Sequence, residues 1–266
     1  VTDDSGNEST ATATVTVEDI IPPTVSASGV NIYLDENGEG SLSVNTTASD
    51  VTDNCSVASL TISIDGSIPA ESVDFDCSNL GEIEATITVT DGSGNVTNTT
   101  AMVLVQDIIA PTVACAANVS VSTDPETCEA QITIEGPANA DNCSVASVVN
   151  DYNGTSDASD IYPLGETTII WTITDGSDNT TTCSQTVTVT DDEAPTITCA
   201  ANVSVSTDAG VCEAQITIEG PATGDNCSVA SVVNDYNGTS DASDIYPHGE
   251  TTIIWTITDG SDNTTT

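Results

Sequence analysis

Apolar side chains recur at every second position through much of the chain. Val113, Cys115, Ala117, Val119 and Val121 fall on one face, and Cys128, Ala130, Ile132 and Ile134 on another, opposite Glu129, Gln131 and Thr133. Ile169, Trp171 and Ile173 alternate with Ile170, Thr172 and Thr174, and Cys183, Gln185, Val187 and Val189 alternate with Ser184, Thr186, Thr188 and Thr190. A period of two sets one row against a core and the next in water, which predicts half-buried strands. Turn-forming stretches separate them: DPE at 124–126, EGPANADN at 135–142, DYNGTSDASD at 151–160 and YPLGE at 162–166. About seven short strands per repeating stretch, with no helical period, predict an all-β fold of the immunoglobulin-like β-sandwich type. Trp171 keeps step with Ile169 and Ile173 and is therefore assigned to the core rather than to a sugar-binding face.

The strand pattern itself repeats. Residues 111–182 and 195–266 align without a gap at an offset of 84 and differ at eight positions, Leu164 against His248 among them. Upstream, TDGSGN (90–95) and QDIIAPTV (106–113) mirror TDGSDN (174–179) and TDDEAPTI (190–197); TDDSGN (2–7) and EDIIPPTV (18–25) do so again. Four segments follow: the C-terminal part of a repeat at 1–21, whole repeats at 22–110 and 111–194, and a repeat at 195–266 that stops before its last strand. This reads as a window on a longer array of tandem sandwiches forming an elongated rod.

Composition narrows the function. The chain carries 42 Asp and Glu, no Lys, no Arg and one His. Binding to nucleic acid through phosphate neutralisation has no donors, and a basic contact with a membrane surface fails for the same reason. No apolar run reaches the ~20 residues a bilayer span needs. Charged residues are nevertheless only 16% of the chain, and β-branched residues abound, which separates it from an acidic disordered tail. The acidic clusters must find cations outside the sequence. The single His248 has Leu164 at its equivalent, and the recurring carboxylates sit on turns in every repeat, so no catalytic residue is expected.

Nine cysteines imply an oxidising, extracellular setting. Repeat 111–194 has Cys115, Cys128, Cys143 and Cys183; repeat 195–266 has Cys199, Cys212 and Cys227, with a fourth due just past Thr266. Repeat 22–110 has only Cys55 and Cys77, with Ala27 standing for Cys115 and Thr99 for Cys183. That joint loss predicts a Cys115–Cys183 bridge. Exclusion then pairs Cys128–Cys143, Cys55–Cys77 and Cys212–Cys227. In a simple sandwich, however, Cys128 and Cys143 fall at opposite ends, so either the 136–142 segment crosses the domain or this second pairing is different.

APTVAC (110–115), DNC (141–143), YPLGETTIIWTITDGSDNTTTC (162–183) and VTVTDDEAPTITC (187–199) together resemble the hyalin repeat (HYR) module. Ala116 and Ala200 depart from it, standing where the family usually has Pro. The resemblance implies an immunoglobulin-like fold and extracellular adhesion. The extra cysteine at Cys128 resembles versions in long bacterial surface adhesins, and TDGSGN with QDIIAPT resembles bacterial immunoglobulin-like repeats that hold calcium at their junctions.

The residues also argue for a cation on their own. In a sandwich the last hairpin loop lies at the end where the chain enters. Asp175, Asp178 and Asn179 then meet the linker at Asp107; Asp259, Asp262 and Asn263 meet Asp191, Asp192 and Glu193; Asp91 and Asn95 meet Glu18 and Asp19. Asp53, Asp141 and Asp225 join if their turns share that end. Ca2+ takes six to eight oxygen ligands of this kind. Taken alone, DGSDN is an ordinary polar turn; its recurrence beside an acidic linker favours a structural calcium site. The expected function is a non-enzymatic extracellular stalk or fibre, with neighbouring repeats, and other copies in a fibre, as partners. The alternatives are an adhesin module whose loops at 151–163 hold a glycan or surface, and an accessory module of a secreted enzyme.

Overall fold

The computed structural model describes residues 1–266, nearly all of whose regular structure is β-strand; the exceptions are one helical turn, Val44–Thr47, and one 3-10 turn, Cys77–Asn79. The chain divides into two compact units. The first is Val1–Ala110 with the turns Asp141–Ser144 and Asp175–Asn179, and the second is the remainder from Pro111 onward.

In the first unit, Val30–Tyr33, Val96–Gln106, Gly81–Asp91 and Val57–Ile64 form a four-stranded sheet in that order. Its first strand runs parallel to its neighbour and the others are antiparallel. Thr24–Ala27 pairs with Ala48–Thr52, and Glu39–Ser43 with Ser72–Asp76. The inward rows of these strands meet in a core containing Leu42, Ile62, Phe75, Ile87 and Val103.

The second unit repeats the plan. Val119–Ser122, Thr180–Thr190, Gly165–Asp175 and Val145–Asn150 make its four-stranded sheet. Glu129–Ile132 pairs with Asp160–Pro163, and Thr112–Ala114 with Ala138–Ala140. A further sandwich follows from Thr196–Thr198 to Thr264–Thr265, with Ala242, Trp255 and Ile257 buried at its centre. The architecture is a tandem series of β-sandwiches. Trp171 is completely buried among Tyr162, Ile169 and Ile173; burying a ring of this size contributes about 3 kcal/mol. Its indole N–H donates to Gln185 Oε1 at 3.4 Å, and Gln185 Nε2 donates to Ala117 O at 2.8 Å, so the buried amide is satisfied at both ends.

The alternating run from Val113 to Val121 is not one strand. It breaks at Cys115–Asn118, so that Thr112–Ala114 joins one layer and Val119–Ser122 the other. The crossing backbone is held by Gln185, and by Thr186 N donating to Asn118 Oδ1. Residues 135–142, read as a turn, also contain the strand Ala138–Ala140. Each whole sandwich therefore has eight short strands rather than about seven. The only strand pairing in segment 1–21 is an isolated bridge between Thr2 and Glu8, and Val15 and Val17 are exposed.

Three disulfides are present. Cys115 is bonded to Cys183, closing the sandwich across its split first strand. The other two replace the expected pairs: Cys77 is bonded to Cys143 and Cys128 to Cys227, so Cys55–Cys77, Cys128–Cys143 and Cys212–Cys227 do not form. Strand length is the reason. Leu164 N donates to Cys128 O beside the start of Gly165–Asp175, whereas Gly176 N donates to Ser144 O beyond its far end. Eleven extended residues separate the two cysteines by about 35 Å, and a disulfide needs Cα atoms within about 7 Å. Each bridge instead joins one repeat to the Asp-Asn-Cys turn of the next.

The two bridges take their first thiol from different places in the repeat, Cys77 after the strand Ser72–Asp76 and Cys128 before Glu129–Ile132. Asp35 N donates to Glu39 O just as Asp124 N donates to Glu129 O, which places Gly38 where the later repeat has Cys128. Gly38 has φ +74°, and a Cβ there would sit 2.6 Å from Cys77 Sγ and 2.7 Å from Asn142 O. The thiol comes across the strand pair, from Cys77, and only glycine leaves room for it.

Candidate metal centre

Three aspartates converge at each of three places: Asp19, Asp53 and Asp91; Asp107, Asp141 and Asp175; Asp191, Asp225 and Asp259. In every triad one carboxylate oxygen from each residue lies within 4.8 Å of the others. The positions are topologically fixed. One aspartate is in the linker that follows a last strand, as Asp107 follows Val96–Gln106; one opens the Asp-Asn-Cys turn; one ends the penultimate strand, as Asp175 ends Gly165–Asp175. The Asp-Asn-Cys turn and the hairpin share an end because Val57–Ile64 starts opposite Asp91 and Val229–Asn234 opposite Asp259. The hydrogen bonds Gly92 N to Ser56 O, Gly176 N to Ser144 O and Gly260 N to Ser228 O tie the two turns together.

Each aspartate locks its own loop with part of its hydrogen-bonding capacity. Asp175 Oδ1 accepts from Ser177 N and Asn179 N, and its Oδ2 from Asn179 Nδ2. Asp141 Oδ2 accepts from Cys143 N and Ser144 N, each at 3.0 Å. Asp107 Oδ1 accepts from Ile109 N and from Asn142 Nδ2. The second oxygens, Asp107 Oδ2 and Asp141 Oδ1, are buried without a partner. So are Asp191 Oδ2 with Asp225 Oδ1, and Asp19 Oδ2 with Asp53 Oδ1. Asp107 and Asp191 are each only 5% exposed, and Asp175 and Asp259 1%. Buried oxygens without donors are costly, and two carboxylates about 4 Å apart repel by about 4 kcal/mol near a protein surface. The donor set is the one that a hard divalent cation satisfies.

The other expected acidic ligands stand outside the triads, and the expected Asn residues use their Nδ2 groups as donors. Asn179 Nδ2 donates to Asp107 O, and Asn263 Nδ2 to Asp191 O; these amides fasten the linker to the hairpin, as Asn95 does through Asp19 O. Asp178 and Asp262 are exposed turn residues with positive φ, and Glu18 is exposed. Asp192 Oδ2 accepts from Ser122 Oγ, and Glu193 Oε2 from Glu126 N at 3.5 Å. Asn142 and Asn226 are not among the ligands expected from the sequence. Their Nδ2 atoms hold Asp107 and Asp191, while their Oδ1 atoms are buried and partnerless beside the triads. Recurrence of Asn inside every Asp-Asn-Cys turn was the available signal.

Donors also hold several carboxyls in the charged form. The Asn54 side chain and Ile21 N–H keep Asp19 below the usual value of 3.8. For Asp91 and Asp259 burial pushes upward, but the Asn95 and Asn263 side chains and the backbone N–H groups outweigh it and leave both lowered. A carboxyl depressed in the folded state stabilises fully above its unfolded value and loses that contribution as pH falls through the folded value. Urea midpoints of the metal-free chain are therefore expected to hold down to about pH 4 and to decline below it. Asp91→Asn and Asp259→Asn should each flatten part of that decline.

Residues 106–189 match the HYR domain family. Hyalin of Strongylocentrotus purpuratus is 31% identical over 270 residues, an alignment that covers 98% of this chain and 21% of that protein. Residues 106–189 are thus similar to a hyalin-type repeat, and the chain spans about a fifth of the curated relative that it matches. Neither match supports a bacterial setting. Among solved structures, extracellular cadherin domains 1–4 of protocadherin gamma B7 align over 92% of this chain and 74% of that one, at 13% identity and TM-score 0.35. Human CDH23 EC21-23 aligns over 92% and 98%, at 14% identity and TM-score 0.32. The fibronectin(III)-like modules of Clostridium thermocellum CbhA align over 62% and 94%, at 15% identity and TM-score 0.25. The fold assignment rests on the strand order described above.

Proposed function

We propose that this chain is a non-enzymatic, extracellular structural or adhesive segment, part of a stalk or fibre whose repeat junctions are stiffened by Ca2+ at the aspartate triads. The observation that carries this reading is the pair of buried, partnerless carboxylate oxygens at each triad, in a chain with no Lys or Arg to neutralise them. Oxygens on opposite sides of one Ca2+ lie roughly 4.6–5.2 Å apart, so a set within 4.8 Å fits a single coordination sphere. Three aspartates give the core of the site. The amide oxygens of Asn142 and Asn226 are candidates for a fourth ligand, with water completing the shell. Adhesion fits the hyalin match, and disulfides fit an oxidising compartment. No helix is long and apolar enough to cross a membrane.

The glycan reading of the 151–163 loop gains no support from its aromatic residues. Tyr152 stacks on Tyr162 with ring centroids 4.5 Å apart, and its hydroxyl donates to Ile161 O. The direct test is calorimetric titration of the chain with Ca2+, with Mg2+ as control. Three binding events are expected, one being lost in Asp107→Asn and another in Asp191→Asn. Absence of any saturable Ca2+ heat overturns the reading.

A further inference from the structure

We propose that the outward face of the four-stranded sheet in repeat 22–110, centred on Tyr33, Met102 and Leu104, docks a partner polypeptide that presents apolar side chains beside Lys or Arg. Register brings the three residues together. Val30–Tyr33 is an edge strand of that sheet and runs parallel to Val96–Gln106. Leu104 lies opposite Asn31 on one side and Glu82 on the other, Met102 lies opposite Glu84, and Tyr33 opposite Gln106. Tyr33 is therefore a diagonal neighbour of Leu104, within reach of an aromatic side chain. The alternate residues Ile32, Val103 and Val105 pack into the core, so these three point away from it. Tyr33 is 53% exposed and Met102 49%, and Leu104 is half-buried.

The fold does not require this face. In repeat 111–194 the same strands pair in the same way, with Ser122 opposite Thr190, Glu166 opposite Thr188 and Thr168 opposite Thr186. Ser122, Thr186 and Thr188 thus stand where repeat 22–110 has Tyr33, Met102 and Leu104. Thr suits the wetted face of a strand, and its replacement by Met and Leu puts apolar surface in water. Met102 is the one methionine of the chain. Tyr33 is the one tyrosine of five outside the stacked pairs Tyr152–Tyr162 and Tyr236–Tyr246. Tyr and Met are enriched where proteins meet, and an open sheet face does not enclose a small molecule.

Charge selects the occupant. Glu82 and Glu84 are exposed and flank the apolar residues along the neighbouring strand. Glu84 has Thr168 as its counterpart, so the acidic rim grows in the same repeat that gains the apolar centre. A second copy of this chain brings the same two carboxylates and no Lys or Arg, and two such faces repel. A partner with Lys or Arg beside apolar side chains meets both parts of the surface. The surface is independent of the aspartate triads and of the calcium reading.

Met102 supplies the test. Isotope labelling of the methionine methyl in the 266-residue chain gives a single NMR signal, placed on the surface itself. The probes are two synthetic octapeptides of equal charge, one alternating Phe with Lys and the other Ser with Lys. The Phe–Lys peptide should shift the signal saturably, and the Ser–Lys peptide should bind at least about tenfold more weakly. Tyr33→Ser/Leu104→Thr, which installs the residues of repeat 111–194, should weaken the Phe–Lys peptide by about the same factor. Glu82→Gln/Glu84→Gln, which leaves the apolar centre whole, should weaken it as well. Equal binding of the two peptides overturns the proposal, and so does parent-like affinity in either variant. A signal that moves as the concentration of the chain alone is raised assigns the face to a second copy and overturns it too.

Discussion

Removing Ca2+ with a chelator is expected to lower the melting temperature of the chain by about 10 °C or more. An ion held at 100 times its dissociation constant adds about 2.7 kcal/mol to the fold that binds it. For a sandwich of this size each kcal/mol moves the midpoint by about 4–8 °C. The same arithmetic separates a ligand from a merely structural aspartate. Without the ion, Asp107 Oδ2 and Asp141 Oδ1 are buried beside each other and destabilise the junction. Asp107→Asn removes one of those charges. In the presence of chelator it should therefore melt no lower than the parent chain, while losing the rise that Ca2+ confers. A purely structural Asp107, held by Ile109 N and Asn142 Nδ2, would instead give a variant weakened equally with and without the ion. Scanning calorimetry with and without Ca2+ decides between them. An unchanged midpoint on chelation of the parent chain would sink the calcium reading itself.

The sandwich was legible because its determinants are local. A two-residue period survives at Ile169, Trp171 and Ile173, and all three are buried in full. The triads were half legible. Asp107, Asp175, Asp191 and Asp259 could be placed together because a hairpin and the linker beside it have only one possible end. The aspartate of the Asp-Asn-Cys turn depended on where a non-adjacent strand begins, which pairing to the penultimate strand settles only in three dimensions. Asn179 and Asn263 have the right chemistry for ligands and use their Nδ2 groups on the hairpin's own carboxylate and the linker carbonyl. The amide oxygens buried without a partner, however, are those of Asn142 and Asn226. The disulfides were least legible. Covariation within one repeat finds Cys115–Cys183, whose partners lie in the same sandwich. Cys128 and Cys143 are each present in one repeat while pairing into its neighbours, and equal counts per repeat then suggest the wrong closure.

The inter-repeat bridges should control the affinity of the site they flank. Mapping of the non-reduced chain with a Glu-specific protease, trypsin having no Lys or Arg to cut, should recover Cys77–Cys143 and Cys128–Cys227. Cys227 N donates to Asp225 Oδ2, and the adjoining Asn226 clamps Asp191 while reaching Thr123 and Thr127. The Cys128–Cys227 bridge therefore fixes the triad residue that the Asp-Asn-Cys turn supplies. Closing a loop of 99 residues restricts the unfolded chain by about 4.7 kcal/mol. If a third of that restraint bears on the Asp225 turn, the paired variant Cys128→Ser/Cys227→Ser should bind Ca2+ at this triad about tenfold more weakly, a difference of about 1.4 kcal/mol. The Asp107 triad, flanked by Cys77–Cys143, should be unaffected and serves as an internal control. Linkage makes the effect reciprocal: with Ca2+ bound, the Cys128–Cys227 bridge should be harder to reduce by the same factor. Equal affinity with and without that bridge would mean that Asn226 and the linker alone position Asp225, and that bridge and ion hold the junction independently.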